Sequence, residues 1–349
     1  GGDEACPAAA VSNAIDDDPP RMRSAGEGQG GNHNANGHRG KVVATLTTTP
    51  SRIARIGPTL ESLLCQPVLE TIYLHVPMVL RRDVESGAAM TIDNPESLVP
   101  ETIRQLEGAS QGRLVVSTVI DVGPLTKLLP TLRMETHPST IILVADDDFI
   151  YSPLWAAELS RFSQPTKAFA VSSFTFTLAD EGTGKSRAVE GASSSRPKCW
   201  SYQASVDHGV KTHVLEAYLG VVVQRSMFSD RFINYMARAA DDWTKNGPWM
   251  LADDLVVSFY LNHSGVELFN VRTTLLERGN AGEEVAGMAG GLQDHHSTGI
   301  EETIEDECCG EEGKKDGPDC DANMRRYRKY YDRVVGVCEE ILKDRGDEL

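Results

Sequence analysis

Ile141-Ile-Leu-Val-Ala-Asp146-Asp147-Asp148-Phe-Ile-Tyr151 sets five apolar residues directly before three carboxylates. A short, continuous apolar run bounded in this way suits a strand buried on both faces, as in a parallel sheet covered by helices. In open α/β sheets, ligands collect outside the carboxyl ends of the strands. Three adjacent carboxylates repel one another, and a cation beside them accounts for their place at a strand end. Side chains alternate along extended backbone, so Asp146 and Asp148 share one side and Asp147 points elsewhere. Oxygen-only ligands suit Mg²⁺ or Mn²⁺ rather than Zn²⁺. A solvated acidic turn, or a helix N-terminus before Pro153, accounts for the same residues without a ligand.

Upstream, strands and helices alternate. Val42–Leu46 reads as the first strand and a helix follows near Ile56–Cys65, with Leu60, Leu63 and Leu64 as its apolar stripe. Ile72–Val76 is a second strand, a helix near Glu101–Glu107 precedes the strand Leu114–Ile120, and a helix over Leu125–Leu132 precedes Ile141–Ala145. This order predicts an α/β fold, a mostly parallel central sheet with helices on both faces. Downstream the signal is weaker: Phe169–Ser172 and Val221–Val223 read as strands and Leu255–Leu261 as a helix. Met324, Tyr327, Tyr331, Val334, Cys338 and Ile341 recur every three or four residues and mark a final amphipathic helix.

The chain has 349 residues and a net charge of −17. Residues 1–40 hold six acids and three bases, and residues 301–321 hold ten acids and two lysines, so the surplus sits largely outside the α/β portion. The expected organisation is a disordered arm over 1–40, a single α/β domain over 41–280, a mobile acidic loop over 281–322, and an amphipathic helix and tail over 323–349. The acidic balance argues against a nucleic-acid partner, and no apolar run approaches the ~18–20 residues of a membrane span. Gly26, Gly28 and Gly31 match a dinucleotide-binding glycine pattern, but neither strand nor helix flanks them.

Five segments in order carry a resemblance. They are Val43-Ala-Thr-Leu-Thr-Thr-Thr-Pro-Ser-Arg52 with Glu61-Ser-Leu-Leu-Cys-Gln66; Asp121-Val-Gly-Pro-Leu-Thr-Lys127; the stretch quoted first; Ala217-Tyr-Leu-Gly220-Val; and Ala252-Asp-Asp254-Leu-Val-Val-Ser-Phe-Tyr-Leu261. Together they resemble nucleotide-sugar-dependent glycosyltransferases of the GT-A fold, DxD-containing and family-2-like, over about residues 42–275. The resemblance implies a GT-A-like domain and a role for each position. Thr47, Thr48 and Arg52 line the base and ribose pocket, Asp121 and Lys127 face the nucleotide, and Asp146 approaches the ribose or the metal. Asp148 ligates the metal with Asp146, and Gly220 lets backbone approach the sugar. Asp254, with Asp253 beside it, is the catalytic base. Each has a plainer reading: Lys127 caps a solvent face, Gly220 marks a strand bulge, the threonines form a turn before Pro50, and the aspartates partner a helix dipole.

The implied chemistry suits these groups. A departing nucleoside diphosphate gathers charge that Mn²⁺ or Mg²⁺ and a lysine stabilise, while the acceptor hydroxyl loses its proton to a carboxylate in an inverting reaction. The implied partners are a nucleotide-sugar donor, a UDP-sugar favoured, and a glycan or other hydroxyl acceptor. A non-catalytic GT-A-like domain that binds nucleotide or glycan is the first alternative, and a nucleotidyltransferase the second. His295 and His296 are candidate extra metal ligands, with Cys308, Cys309 and Cys320 a loop staple or a weak zinc site. Trp243 and Trp249 either stack on an acceptor sugar or belong to the core. Transfer to glycans favours the lumen of the secretory pathway, Golgi or ER, over the cytoplasm. Asp347-Glu348-Leu349 lacks the leading residues of an ER-retention tail, and Gly1 in place of Met leaves a preceding signal or anchor open.

Overall fold

The computed structural model describes residues 40–78, 98–179, 186–188, 199–203, 209–271, 282–284 and 322–343. Residues 1–39 of the arm expected over 1–40 lie outside them, as do His295, His296, Cys308, Cys309 and Cys320. Strands β1 (Val42–Thr47), β2 (Thr71–Pro77), β3 (Leu114–Val119) and β4 (Ile141–Val144) are where the apolar runs place them. They pair in parallel in the order β3-β2-β1-β4. The connections include helices α1 (Gly57–Leu64), α2 (Glu101–Ala109) and α3 (Leu129–Met134). The helix expected over Leu125–Leu132 splits into a 3-10 turn, Leu125–Lys127, and then α3, where Pro130 sits in the first turn with no N–H to donate.

The rest of the chain extends the sheet with four antiparallel strand pairs and one parallel pair. After β5 (Phe149–Tyr151) and helix α4 (Trp155–Arg161) come β6 (Lys167–Ala179), β7 (Ser186–Ala188), β8 (Cys199–Gln203) and β9 (Val214–Gln224). Helices α5 (Asp230–Asp241), α6 (Trp243–Met250) and α7 (Asp253–His263) follow. Then come β10 (Glu267–Asn270), β11 (Gly282–Glu284) and α8 (Ala322–Lys343). The full order is β10-β6-β9-β4-β1-β2-β3, with β7 and β8 also on β6. Strand β9 runs antiparallel to both β4 and β6. Residues 282–284, inside the expected acidic loop, pair with β5.

Two apolar layers sandwich the sheet. Val43 faces a layer that includes Phe174, Phe232, Met236, Phe259 and Tyr331, whereas Val42 and Ala44 face Leu60, Ile103, Trp155 and Leu159. This is the two-residue alternation of a strand covered on both sides. The stripe expected on α8 is buried at Tyr327, Tyr331, Val334, Cys338 and Ile341. Among the described helices, none is long and apolar enough to cross a membrane.

Strand β9 carries an irregularity at Gly220. Its pairing with β6 jumps from Ala170↔Val221 to Ser172↔Glu216, so residues 217–220 bulge out. Leu219 and Gly220 have φ of 65° and 119°, and the Trp155 indole N–H donates to the Leu219 carbonyl at 2.7 Å. A Cβ on Gly220 would lie 2.8 Å from Leu159 Cδ1 and 2.9 Å from Trp155 Cζ2. Packing against helix α4 requires glycine here, and the strand bulge is observed. Gly220→Ala is expected to cost about 2 kcal/mol or more, through a strained φ and a clash with a packed indole. Urea unfolding measures it, and a loss below about 0.5 kcal/mol would contradict this account.

Candidate active site

The β1–β4 pairing, Val42↔Ile141 through Thr45↔Val144, sets the chain after β1 beside Asp146–Asp148. Asp147 turns inward. Its carboxylate accepts from Thr48 Oγ1 at 2.6 Å and pairs with Arg52 Nη2 at 3.1 Å, and its carbonyl accepts from Thr59 Oγ1 at 3.0 Å. Arg52 also reaches Asp148 Oδ2 at 2.9 Å, so one guanidinium spans both acids. The side chains of Asp146 and Asp148 keep 30% and 20% exposure, against 7% for Asp147, the division that strand alternation implies. Burial, offset in part by Arg52, lifts the Asp147 carboxyl to about 6; burial and then the Asp146 charge raise Asp148. Tyr151, one residue the sequence reading left without a role, accepts from the Asp146 N–H at 2.8 Å and donates to its carbonyl at 3.1 Å.

Lys127 is delivered from a separate turn. Asp121 is buried, and its Oδ1 accepts from Gly123 N at 2.8 Å and Thr126 Oγ1 at 3.4 Å. It therefore builds the turn that carries Lys127. Lys127 Nζ lies 3.2 Å from Asp146 Oδ1 and 3.4 Å from Asp253 Oδ2. Burial pulls the ammonium down, but Asp146, Asp253 and Asp254 outweigh it and hold it well above the ordinary lysine range. Behind the turn, Thr45 Oγ1 bonds to the Lys127 carbonyl and to Thr131 Oγ1, which meets His75 Nε2 at 2.7 Å. The other ring nitrogen of His75 meets Ser117 Oγ at 2.7 Å, and burial lowers the imidazole to about 4, so it is neutral at pH 7. Thr47, expected in the pocket, spends its hydroxyl on the His75 carbonyl at 2.8 Å.

Asp253 and Asp254 open α7. Asp253 is buried against Lys127. Asp254 Oδ1 accepts from Ala217 N at 3.3 Å, and Oδ2 accepts from the Tyr327 hydroxyl at 3.0 Å. Burial and then the Asp253 charge raise the Asp254 carboxyl to about 7, with Lys127 and the Tyr327 bond pulling the other way. Tyr327 comes from α8, and the sequence showed it only as one member of an apolar stripe. A fully buried tyrosine needs a partner for its hydroxyl, and Asp254 supplies it. Trp243 packs on Gly123 and Gly247, and Trp249 is buried with Arg333 over its ring at 5.8 Å, which leaves both as packing aromatics.

Five carboxylates thus meet two fixed cations, a surplus that suits a further positive charge. Among the described residues no three His, Cys, Asp or Glu form a ready metal cluster. Asp146 and Asp148 are a two-carboxylate donor set, which fits Mg²⁺ or Mn²⁺ when water and ligand phosphate complete the shell.

No protein-family model and no curated protein matches the chain. Among solved structures it is similar to a mannosyltransferase of Pyrobaculum calidifontis in complex with GDP-Man and Mn²⁺, at 16% identity and TM-score 0.29, over 39% of this chain and 36% of that one. It is also similar to residues 1–349 of S. aureus TarS in complex with UDP, at 11% and 0.35, over 66% and 57%. A third is 4-diphosphocytidyl-2C-methyl-D-erythritol synthase of Anaerococcus prevotii, at 12% and 0.32, over 57% and 76%. The match spans about a third of the mannosyltransferase's length. Likenesses this distant assign no chemistry, and the site stands on its own residues.

The raised carboxyls set a pH dependence. A fold that favours protonated Asp147 and Asp254 gains stability that is full below their ordinary pH range near 4 and is lost as pH rises through about 6 and about 7. Buried His75 works oppositely between about 4 and 6.5, so each pH requires wild type against variant. Asp254→Asn is expected to gain stability relative to wild type between pH 5 and 8, in urea unfolding at each pH. A difference that stays flat would show that Asp254 ionises freely in the fold.

Proposed function

We propose that the chain transfers a sugar from a nucleoside-diphosphate donor to a hydroxyl acceptor with inversion, using Mn²⁺ or Mg²⁺, and that Asp254 takes the acceptor proton. The observation that carries this reading is Lys127 Nζ, held between Asp146 of the donor side and Asp253 of the acceptor side. That ammonium stays charged and is ready to offset the negative charge that gathers on a departing diphosphate. A divalent cation held by Asp146 and Asp148 would supply Lewis-acid stabilisation of the same leaving group. Arg52 and Thr48 fix Asp147, and so hold the strand end in place.

Asp254 suits a general base. Its carboxyl sits near 7, where a base accepts a proton during attack and gives it up afterwards, and the Ala217 N–H and Tyr327 hydroxyl fix its orientation. A carboxylate base acting opposite the leaving group implies inversion. UDP is the favoured nucleotide and a glycan hydroxyl the favoured acceptor, both on the motif resemblance. The secretory lumen remains the favoured compartment, and the disulfide at Cys65 agrees with an oxidising one. Binding without turnover is the second reading, favoured by the two cations that already partner the carboxylates.

Thermal melting with UDP, GDP and CMP, each with Mn²⁺ and again with chelator, tests the donor site. A ligand at ~100 times its dissociation constant adds about 2.7 kcal/mol, and the expected shift is with UDP, lost on chelation and lost in Asp148→Ala. Asp254→Asn is expected to keep that shift and lose at least about 100-fold in transfer. A shift with no transfer by the wild type selects the binding reading; no shift with any nucleotide overturns both.

A further inference from the structure

Away from the carboxylates, α5, α6 and α8 enclose a groove of about 460 Å³ lined by Arg231, Tyr235, Arg238, Lys245, Asn246, Arg333 and Glu340, with Ala239 at its floor. Its volume lies within the range of small-molecule sites. Four cations face one carboxylate in a chain whose net charge is −17. That carboxylate is already engaged, since Glu340 Oε2 accepts from the Tyr235 hydroxyl at 3.0 Å, and Arg231 is turned to the Glu340 carbonyl at 3.1 Å. Arg238, Lys245 and Arg333 form no ion pair among the described residues.

The groove is also braced. Asn246 Nδ2 donates to the Ala239 carbonyl at 3.0 Å and Asn246 Oδ1 accepts from Trp249 Nε1 at 3.3 Å, which ties α6 to α5. The Arg333 guanidinium lies 5.8 Å from the centroid of the Trp249 ring, a cation–π contact. Two guanidinium forks and an ammonium converging on one concavity match the chemistry of a tetrahedral oxyanion, which accepts several charge-assisted hydrogen bonds at once.

We propose that this groove binds a phosphate or sulfate group through Arg238, Lys245 and Arg333. The site is independent of the sugar-transfer reading, because none of its residues belongs to the carboxylate cluster. The group is either the free inorganic ion or a monoester carried on a sugar, and the two sources are separable by experiment.

Titration of the full chain with inorganic phosphate, inorganic sulfate and glucose 6-phosphate, followed by calorimetry at 50 mM salt, tests this. Saturable binding is expected, weakened about tenfold or more by Arg333→Ala and by Arg238→Ala. Tighter binding of glucose 6-phosphate than of phosphate identifies a sugar-borne monoester, and the reverse a free ion. The charge-preserving Arg238→Lys/Arg333→Lys variant, with Tm equal to wild type, is expected to bind several-fold more weakly, because an ammonium lacks the fork. Full affinity in that variant would reduce the groove to a diffuse field and overturn the site, as would no saturable binding of any of the three anions. Mn²⁺-dependent nucleotide shifts are expected unchanged in these variants, so failure here is distinct from failure of the donor site.

Discussion

Lys127 is the tie on which the candidate site depends. Its ammonium joins Asp146, at the end of a parallel strand, to Asp253, at the start of a helix more than a hundred residues later. A buried cation is costly to desolvate, and here carboxylates on two sides offset that cost. Removing the lysine would leave Asp146, Asp253 and Asp254 with uncompensated repulsion. The turn that presents it is correspondingly over-determined: Asp121 and Thr126 close it in front, while the Thr45–Thr131–His75–Ser117 chain supports it behind. Every polar atom in that chain that lies inside the sheet has a partner, the condition under which a buried network stiffens a fold rather than weakening it.

Arg52 repeats the arrangement on the other side of the strand end, where it binds Asp147 and Asp148 together. The two cations divide the acidic triplet between them. Asp147 becomes a structural anchor with Thr48 and Thr59, and its neighbours remain partly open to solvent. This division explains how three consecutive aspartates are tolerated: their repulsion is shared by fixed positive charges and is not all left to solvent.

The parallel half of the fold was legible because its strands are buried on both faces and read as apolar runs, unbroken at Ile141–Val144 and interrupted only by His75 at Ile72–Val76. The antiparallel half was not. The bulge at 217–220 interrupts the period of β9, so only Val221–Val223 stood out from a strand of 11 residues. At the site, residue type and position were legible for Lys127, Asp146, Asp148, Asp253 and Asp254, all of which the fold gathers in one region. Asp121 and Gly220 have structural contacts that the sequence pattern does not report, a turn for Asp121 and the Trp155 indole for Gly220. Tyr327 was missed because it lies 73 positions from Asp254 and no local pattern reports such a contact.

That long-range contact changes what the last helix is for. The stripe Tyr327, Tyr331, Val334, Cys338 and Ile341 packs α8 onto α7, with Phe259 and Tyr331 edge to face at 5.1 Å. Arg326 meanwhile donates to the Leu251 carbonyl at 3.2 Å, two residues before Asp253. The helix therefore grips both the start of α7 and its flank, and Tyr327 reaches Asp254 from a rigid support. Arg333 lies six residues beyond Tyr327, about 9 Å along the helix axis, with its guanidinium on Trp249 of α6. One helix thus carries a ligand to the candidate base at one end and a wall of the basic groove further along. Any displacement of α8 along its axis moves the Tyr327 hydroxyl relative to Asp254, and a helix packed on three others moves as a body rather than residue by residue.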